Sequence, residues 1–382
     1  MNILVVDDDR EKFESIYNYF KEDPVNAYYF IEAPDNPGEA YLAELMELVK
    51  EGSISAVLSL SYYQFISLAC GVLNIPYLCW IVKGYEESSF DKTIRNQWNY
   101  IFCADYDTYE HLENIGIQYV KYLPLSYESE SNKCNNPTKD ILFVADDIED
   151  NNFFSFEFDL LKDSSKGYLD GVFHTKKCDL RDKSVFENAA VYFREDLKAC
   201  YPFSEDNFEP EGHKYDYRLL FPVLDNKSSH IMLFHITASW VKDDYRVDVL
   251  TRKNASARIN HDRITYYSRD LDGGKSVDFS DYKIIVYLPL YREKNIVTEE
   301  MLEIMASKTL LLLPGYVHSK VLYDTNVLSF KNRYELLKLV TRYLFDEDAR
   351  INEVKKANAY ASGVQTYKEA LDTILSVVEE QK

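Results

Sequence analysis

The sequence is short of positive charge: 43 Lys and Arg stand against 64 Asp and Glu, a formal net charge of −21. Nucleic acids and anionic membrane surfaces attract basic patches, so neither is an expected partner. Cysteine is sparse as well, with six residues, no CxxC pair and no Cys/His spacing suited to a metal. Several of the six lie inside apolar runs such as "SLACGVL" and "YLCWIV", the setting of buried reduced thiols. No apolar stretch approaches the ~20 residues that cross a bilayer, so membrane insertion is not expected. Asp7, Asp8 and Asp9 interrupt the first apolar run too early for a secretory signal, and a cytoplasmic location is the expectation. Internal repeats and low-complexity tracts are also missing.

What remains is ample material for packing. The 382 residues are 46% hydrophobic, with 32 Tyr and 21 Phe, enough for two domains of ordinary size. Apolar runs of strand length recur through the first third: "ILVV", "AYYFIE", "AVLSL", "YLCWIV", "YIFCA" and "YVKYLPL". Helical spacing fills the gaps in "REKFESIYNYFKED", in "AYLAELMELVKEG" ending at Gly52, and in "DTYEHLENIGI" closed by Gly116. Continuous apolar strands alternating with helices predict a parallel sheet covered on both faces. Residues 1–126 are therefore expected to form one Rossmann-like unit, and the polar, Asn-rich stretch 127–139 a linker.

A second unit is expected over 140–382, opening with "DILFVADD". Alternation lapses over about 150–228, which reads as a helical insertion, clearest in "SVFENAAVYFREDLKACY". "SSHIMLFHITASWVKDD" follows as a helix with Ile231, Phe234, Ala238 and Val241 on one face. Strands resume at "YRVDVLT", "RITYYS", "KIIVYLPL" and "TLLLLPG", and helices close the chain.

The acidic run after the first strand invites comparison with a phospho-receiver domain. Such a domain needs a phospho-accepting Asp at the tip of its third strand, where this chain offers Ser59 and Ser61. Two readings of the run remain. It is a solvated strand tip, or one of Asp7, Asp8 and Asp9 faces a cleft at the strand C-termini, where parallel sheets bind ligands.

From Ile75 onward the blocks "NIPYLCWIVKGYEES", "WNYIFCADYDTYEHLENIGIQYVKYLPLSYE", "KDILFVADDIEDNN", "YKIIVYLPL", "EEMLEIMASKTLLLLPG" and "NVLSFKNRYELLKLVTRYLF" follow one another in a familiar order. In that order and spacing the chain resembles the CgeB-like, spore-maturation-type glycosyltransferases. The resemblance implies an α/β, GT-B-like fold, with two Rossmann-like domains facing across a cleft. It implies a nucleotide-sugar donor held mostly by the C-terminal domain, and a glycan or protein acceptor of the bacterial surface on the N-terminal side.

The resemblance also names residues. Glu303, in "LEIMAS", matches a helix Glu that hydrogen-bonds the donor ribose; otherwise it is a solvent-facing helix Glu. Arg292 and Lys294 are the nearest cations for a diphosphate, and His318 follows the donor-side strand, though each also suits an ordinary surface. An N-domain carboxylate, Asp7 or Asp8, is the candidate general base of an inverting reaction. Tyr85, after Trp80, is the aromatic best placed for stacking on a sugar.

Three departures from the pattern stand out. Lys83 replaces an expected acid, Glu300 stands near an expected Arg, and "SKT" with Lys308 replaces a Gly-Gly turn. Either Glu300 points away from the donor or Lys308 compensates, with Lys83 adding charge from the opposite domain. The chain is then an active transferase with a rearranged donor site, or a degenerate GT-B protein acting beside a partner glycosyltransferase. A GT-B-shaped epimerase would need acid/base residues that the sequence does not single out. No cofactor or metal is expected, since no isolated DxD lies between a strand and a loop.

Overall fold

The computed structural model describes residues 1–7, 18–21, 23, 25–34, 38–82, 92–127, 136–145, 160–176, 189–200, 232–237, 239–240, 245–251, 258–268, 277–290, 293–317, 322 and 327–379. Two six-stranded sheets, parallel at every pairing, organise these residues. The first holds β1 (Asn2–Asp7), β2 (Ala27–Glu32), β3 (Ala56–Ser59), β4 (Tyr77–Ile81), β5 (Asn99–Cys103) and β6 (Val120–Tyr122), in the order β2-β1-β3-β4-β5-β6. The second holds β7 (Lys139–Ala145), β8 (Val247–Thr251), β9 (Ile264–Ser268), β10 (Tyr282–Leu288), β11 (Leu310–Pro314) and β12 (Leu328–Phe330). Its order, β12-β11-β10-β7-β8-β9, is the doubly wound pattern, with the strand order reversing between β7 and β10. In the first sheet the reversal falls between β1 and β3.

The central strands are buried from end to end, as their unbroken apolar runs require. Alternate residues of β1 feed two cores: Ile3 and Val5 on one face of the sheet, Leu4 and Val6 on the other. The second sheet repeats this with Ile141 and Phe143 opposite Leu142 and Val144.

Helices α1 (Glu39–Glu51), α2 (Gln64–Leu73) and α3 (Tyr106–Asn114) cover the first sheet. Gly52 caps α1 in a right-handed conformation (φ −75°), and Ser53 takes the left-handed step. Gly116, after α3, carries the positive φ of 75° expected of a closing glycine. Periodicity does not announce α2, because "QFISLACGVL" is apolar nearly all round. Its tight fit is made by Gly71, where an added Cβ would lie 2.5 Å from Asn96 Nδ2. That amide donates to the Ser67 carbonyl (2.6 Å), while the Ser67 hydroxyl donates to Asn99 Oδ1 (3.0 Å). Overpacking of about 1–3 kcal/mol should outweigh the ~1 kcal/mol that alanine gains in helix propensity. Gly71→Ala is thus expected to lose about 1 kcal/mol in urea denaturation, part of it restored by adding Asn96→Ala.

In the inserted region, α4 (Asp163–Lys176) and α5 (Val191–Cys200) pack through Tyr168 and Phe193, whose ring centroids lie 4.8 Å apart. Residues 232–237 and 239–240 are helical, as expected, but the buried face differs. Met232, Leu233, Ile236 and Trp240 enter the core, with Trp240 5.1 Å from the Phe143 ring, while Phe234 is only partly buried. The bulk of Trp240 sets that face; Ile231, Ala238 and Val241 lie outside the described residues.

The chain closes with α6 (Glu299–Ala306), α7 (Arg333–Phe345), α8 (Glu347–Ala361) and α9 (Tyr367–Glu379). The first three pack on the second sheet. The last does not. Tyr367, Ala370, Leu371, Ile374 and Leu375 join the core of Ile3, Val5, Leu78 and Trp80, so α9 returns to cover the first sheet. The expected second unit of 140–382 therefore differs in its final helix. Composition could not show this, because an apolar helical stripe does not say which sheet it covers.

Candidate functional site

In parallel sheets the ligand crevice opens where the strand order reverses, outside the strand C-termini. At that point of the first sheet stands Asp7, the last residue of β1. Its side chain is buried (7% exposed), and Oδ2 accepts the Leu60 N–H at 3.2 Å. Asp7 is thus held between β1 and β3 and is no solvated strand tip. Beside it the Ser59 hydroxyl donates to the Ser61 carbonyl (2.6 Å) and lies 2.8 Å from the Tyr77 hydroxyl. These groups satisfy one another and supply no phospho-acceptor carboxylate. Asp8, Lys83, Tyr85, Arg292 and His318 lie outside the described residues.

The neighbouring edge carries a residue that the sequence reading passed over. Asp105 follows β5 and caps α3, its carboxylate accepting the Thr108 N–H at 2.6 Å while only 2% exposed. Burial pushes its carboxyl up; hydrogen bonds from Thr108 pull it down, as does Lys294 of the second domain. An Asp between an apolar strand and a helical pattern is a legible cap signal. That it faces the other domain was not legible. Around it Tyr106, Tyr109 and Tyr122 pack edge to face or tilted, at 5.3–6.2 Å between centroids. Burial first, and Tyr360 of α8 second, push Tyr122 up to about 12.

On the second domain the relevant segment is the connection from β10 to α6. Lys294 sits in it, half-buried and within electrostatic reach of Asp105. Asn295, next in sequence, donates to Asp107 Oδ2 at 2.7 Å. Thr298 then caps α6 through the Met301 N–H at 3.2 Å. Glu300 points inward at 7% exposure, on the same side as Met301 and Ile304, so its charge is turned away from the solvent-facing flank. Glu303, one turn into α6, is on the exposed flank.

Lys308 lies past the far end of α6, whose eight residues span roughly 12 Å at 1.5 Å per residue. Thr309 beside it donates to the Phe279 and Tyr282 carbonyls, at the start of β10. Lys308 is therefore placed near the strand N-termini, away from Lys294 and Asp105. It holds a left-handed φ of 62°, a conformation that glycine adopts without strain. A side chain there costs about 1–2 kcal/mol, which glycine's unfolded-chain freedom offsets in part. Lys308→Gly is expected to raise stability by about 0.5 kcal/mol in thermal denaturation. Among the described residues, no group of three or more His, Cys, Asp or Glu could hold a metal ion, and no helix is long and apolar enough to cross a membrane.

No family profile and no curated sequence matches the chain. Solved structures do. HepE from Anabaena, in complex with UDP-glucose, aligns over 100% of both chains with a TM-score of 0.52 at 8% identity. A glycosyltransferase from Rickettsia africae aligns over 99% of this chain and 98% of its own, with a TM-score of 0.51 at 10% identity. At such identity the likeness establishes architecture: two Rossmann-like domains in the GT-B arrangement.

Proposed function

We propose that the chain is a glycosyltransferase that takes a sugar from a nucleotide-sugar donor, with uridine diphosphate as the first nucleotide to test. The observation that carries this reading is end-to-end likeness to a GT-B protein whose structure holds UDP-glucose. The order of sequence blocks described above narrows the proposal to a CgeB-like enzyme acting on a bacterial surface glycoprotein or glycan. In this reading Glu303 holds the donor ribose from the exposed flank of α6. Lys294 and Arg292 are the cations proposed for the diphosphate, His318 a further donor-binding candidate, and Lys83 and Tyr85 the cleft candidates. Asp7 or Asp8 serves as general base. No metal or other cofactor is called for, since Lys, Arg and backbone N–H groups can stabilise the leaving diphosphate.

Asp105 and Asp107 beside Lys294 favour a second reading. Carboxylates at the donor edge oppose a diphosphate, as they would in a GT-B protein that has lost transfer and supports a partner glycosyltransferase. A thermal-shift screen with UDP, GDP, CMP, dTDP and their common sugars separates the two. A ligand at one hundred times its dissociation constant adds about 2.7 kcal/mol of stability. The first reading expects such a shift from one nucleotide family and sugar release or transfer from that donor. The second expects neither.

A further inference from the structure

Tyr77 opens β4 level with Val57 of β3, yet its hydroxyl acts beyond the end of β3. The ring is fully buried on the sheet face that α2 covers, with the Tyr62 ring 5.9 Å away. Its hydroxyl accepts the Tyr63 N–H at 2.9 Å and lies 2.8 Å from Ser59 Oγ. The Ser59 proton is given to the Ser61 carbonyl at 2.6 Å. The Tyr77 proton therefore goes to Ser59 Oγ, or to that same carbonyl at 3.3 Å. Burial raises the Tyr77 hydroxyl well above its usual range, so this proton stays in place. One side chain thus joins three positions of the turn that leads from β3 into α2.

Leu60 is enclosed by those positions. Its N–H lies in the peptide plane shared with Ser59, so its direction follows the backbone of Ser59. That N–H donates to Asp7 Oδ2 at 3.2 Å. The Leu60 carbonyl accepts the Val82 N–H at 3.3 Å, and the Leu60 side chain enters the core of Ile3 and Val5. From the far side, the Tyr62 hydroxyl lies 2.8 Å from Thr93 Oγ1 and accepts from Asn99 Nδ2 at 3.4 Å. Phenylalanine at 77 would fill the same space. What the hydroxyl adds is a fixed direction for the Leu60 N–H, and so for the carboxylate that it holds.

We propose that Tyr77 is a positioning residue for Asp7: its hydroxyl locks the 59–63 turn, and the Leu60 N–H of that turn holds the Asp7 carboxylate at the crevice of the first sheet. This role rests on the reading of Asp7 as general base, and it supplies the element that orients the carboxylate. A base works from a narrow range of geometry, and a misplacement of ~1 Å costs about a hundredfold in rate. Fully buried, Tyr77 reaches no substrate and acts through Leu60.

Amide NMR on the full chain carrying isotope-labelled leucine tests the link, with the Leu60 peak identified by its loss in Leu60→Ile. In Asp7→Ala that peak marks an amide without its carboxylate. Tyr77→Phe keeps the ring and removes only the hydroxyl. Its Leu60 peak is expected part of the way from the wild-type position to the Asp7→Ala position. A peak left at the wild-type position makes the hydroxyl a matter of packing and overturns the proposal. If Tyr77→Phe fails to fold by circular dichroism, Ser59→Ala takes its place, since it cuts the same chain and leaves the Tyr63 N–H its bond. The same displacement is expected there, and its absence is equally fatal. Hydrolysis of UDP-glucose is the second arm. Where wild type releases glucose, Tyr77→Phe is expected to lower kcat about tenfold to a hundredfold with KM nearly unchanged. An unchanged kcat overturns the positioning role. A wild type without turnover counts against the transferase reading, and the amide peak then judges the link by itself.

Discussion

Leu371→Ala is expected to destabilise the sheet at the opposite end of the chain. Leu371 sits on α9, fully buried among Ile3, Val5, Leu78 and Trp80. Truncating such a leucine costs about 2–5 kcal/mol, from lost burial and the cavity left behind. Domains are stable by only about 5–15 kcal/mol, so this is a large share of one domain's reserve. The loss should fall on the first sheet, whose face α9 covers. The Trp80 ring meets Tyr367 at 6.2 Å, and the Tyr19 hydroxyl donates to Asp372 at 2.8 Å, so that face is tied to α9 along its length. Amide exchange checks this: β1, β3 and β4 should exchange faster while β7, β10 and β11 keep their protection. Faster exchange confined to the second sheet would refute the placement of α9.

Glu303→Ala is expected to cut affinity for the donor nucleotide by about tenfold to a hundredfold. A hydrogen bond to a charged group contributes about 1.5–3 kcal/mol, and 1.4 kcal/mol is a factor of ten. Glu303 is exposed, and alanine is the strongest helix former, so α6 should keep its structure. Calorimetric titration of UDP into wild type and variant measures the difference. Binding that the substitution does not weaken would remove Glu303 from the donor site.

The sequence by itself determined the local structure. Uninterrupted apolar runs made buried parallel strands, because a sheet covered on both faces has no polar side to show. Gly116 and Asp105 closed and opened α3 through backbone conformation and a carboxylate cap, both local effects. β12 escaped notice because three residues carry too little pattern, and α2 escaped because it is apolar on nearly every side.

Only the tertiary structure decided which surfaces meet. It turned Glu300 inward, buried Asp7 against the Leu60 N–H, and set Lys308 at the far end of α6 from Lys294. It brought Asn295 to Asp107 across 188 positions of sequence, and α9 back to the sheet that begins at Asn2. Burial and charge patterns specify that a face must be covered or a charge answered. The partner is chosen by how whole elements pack, and that choice is written in no single stretch of chain.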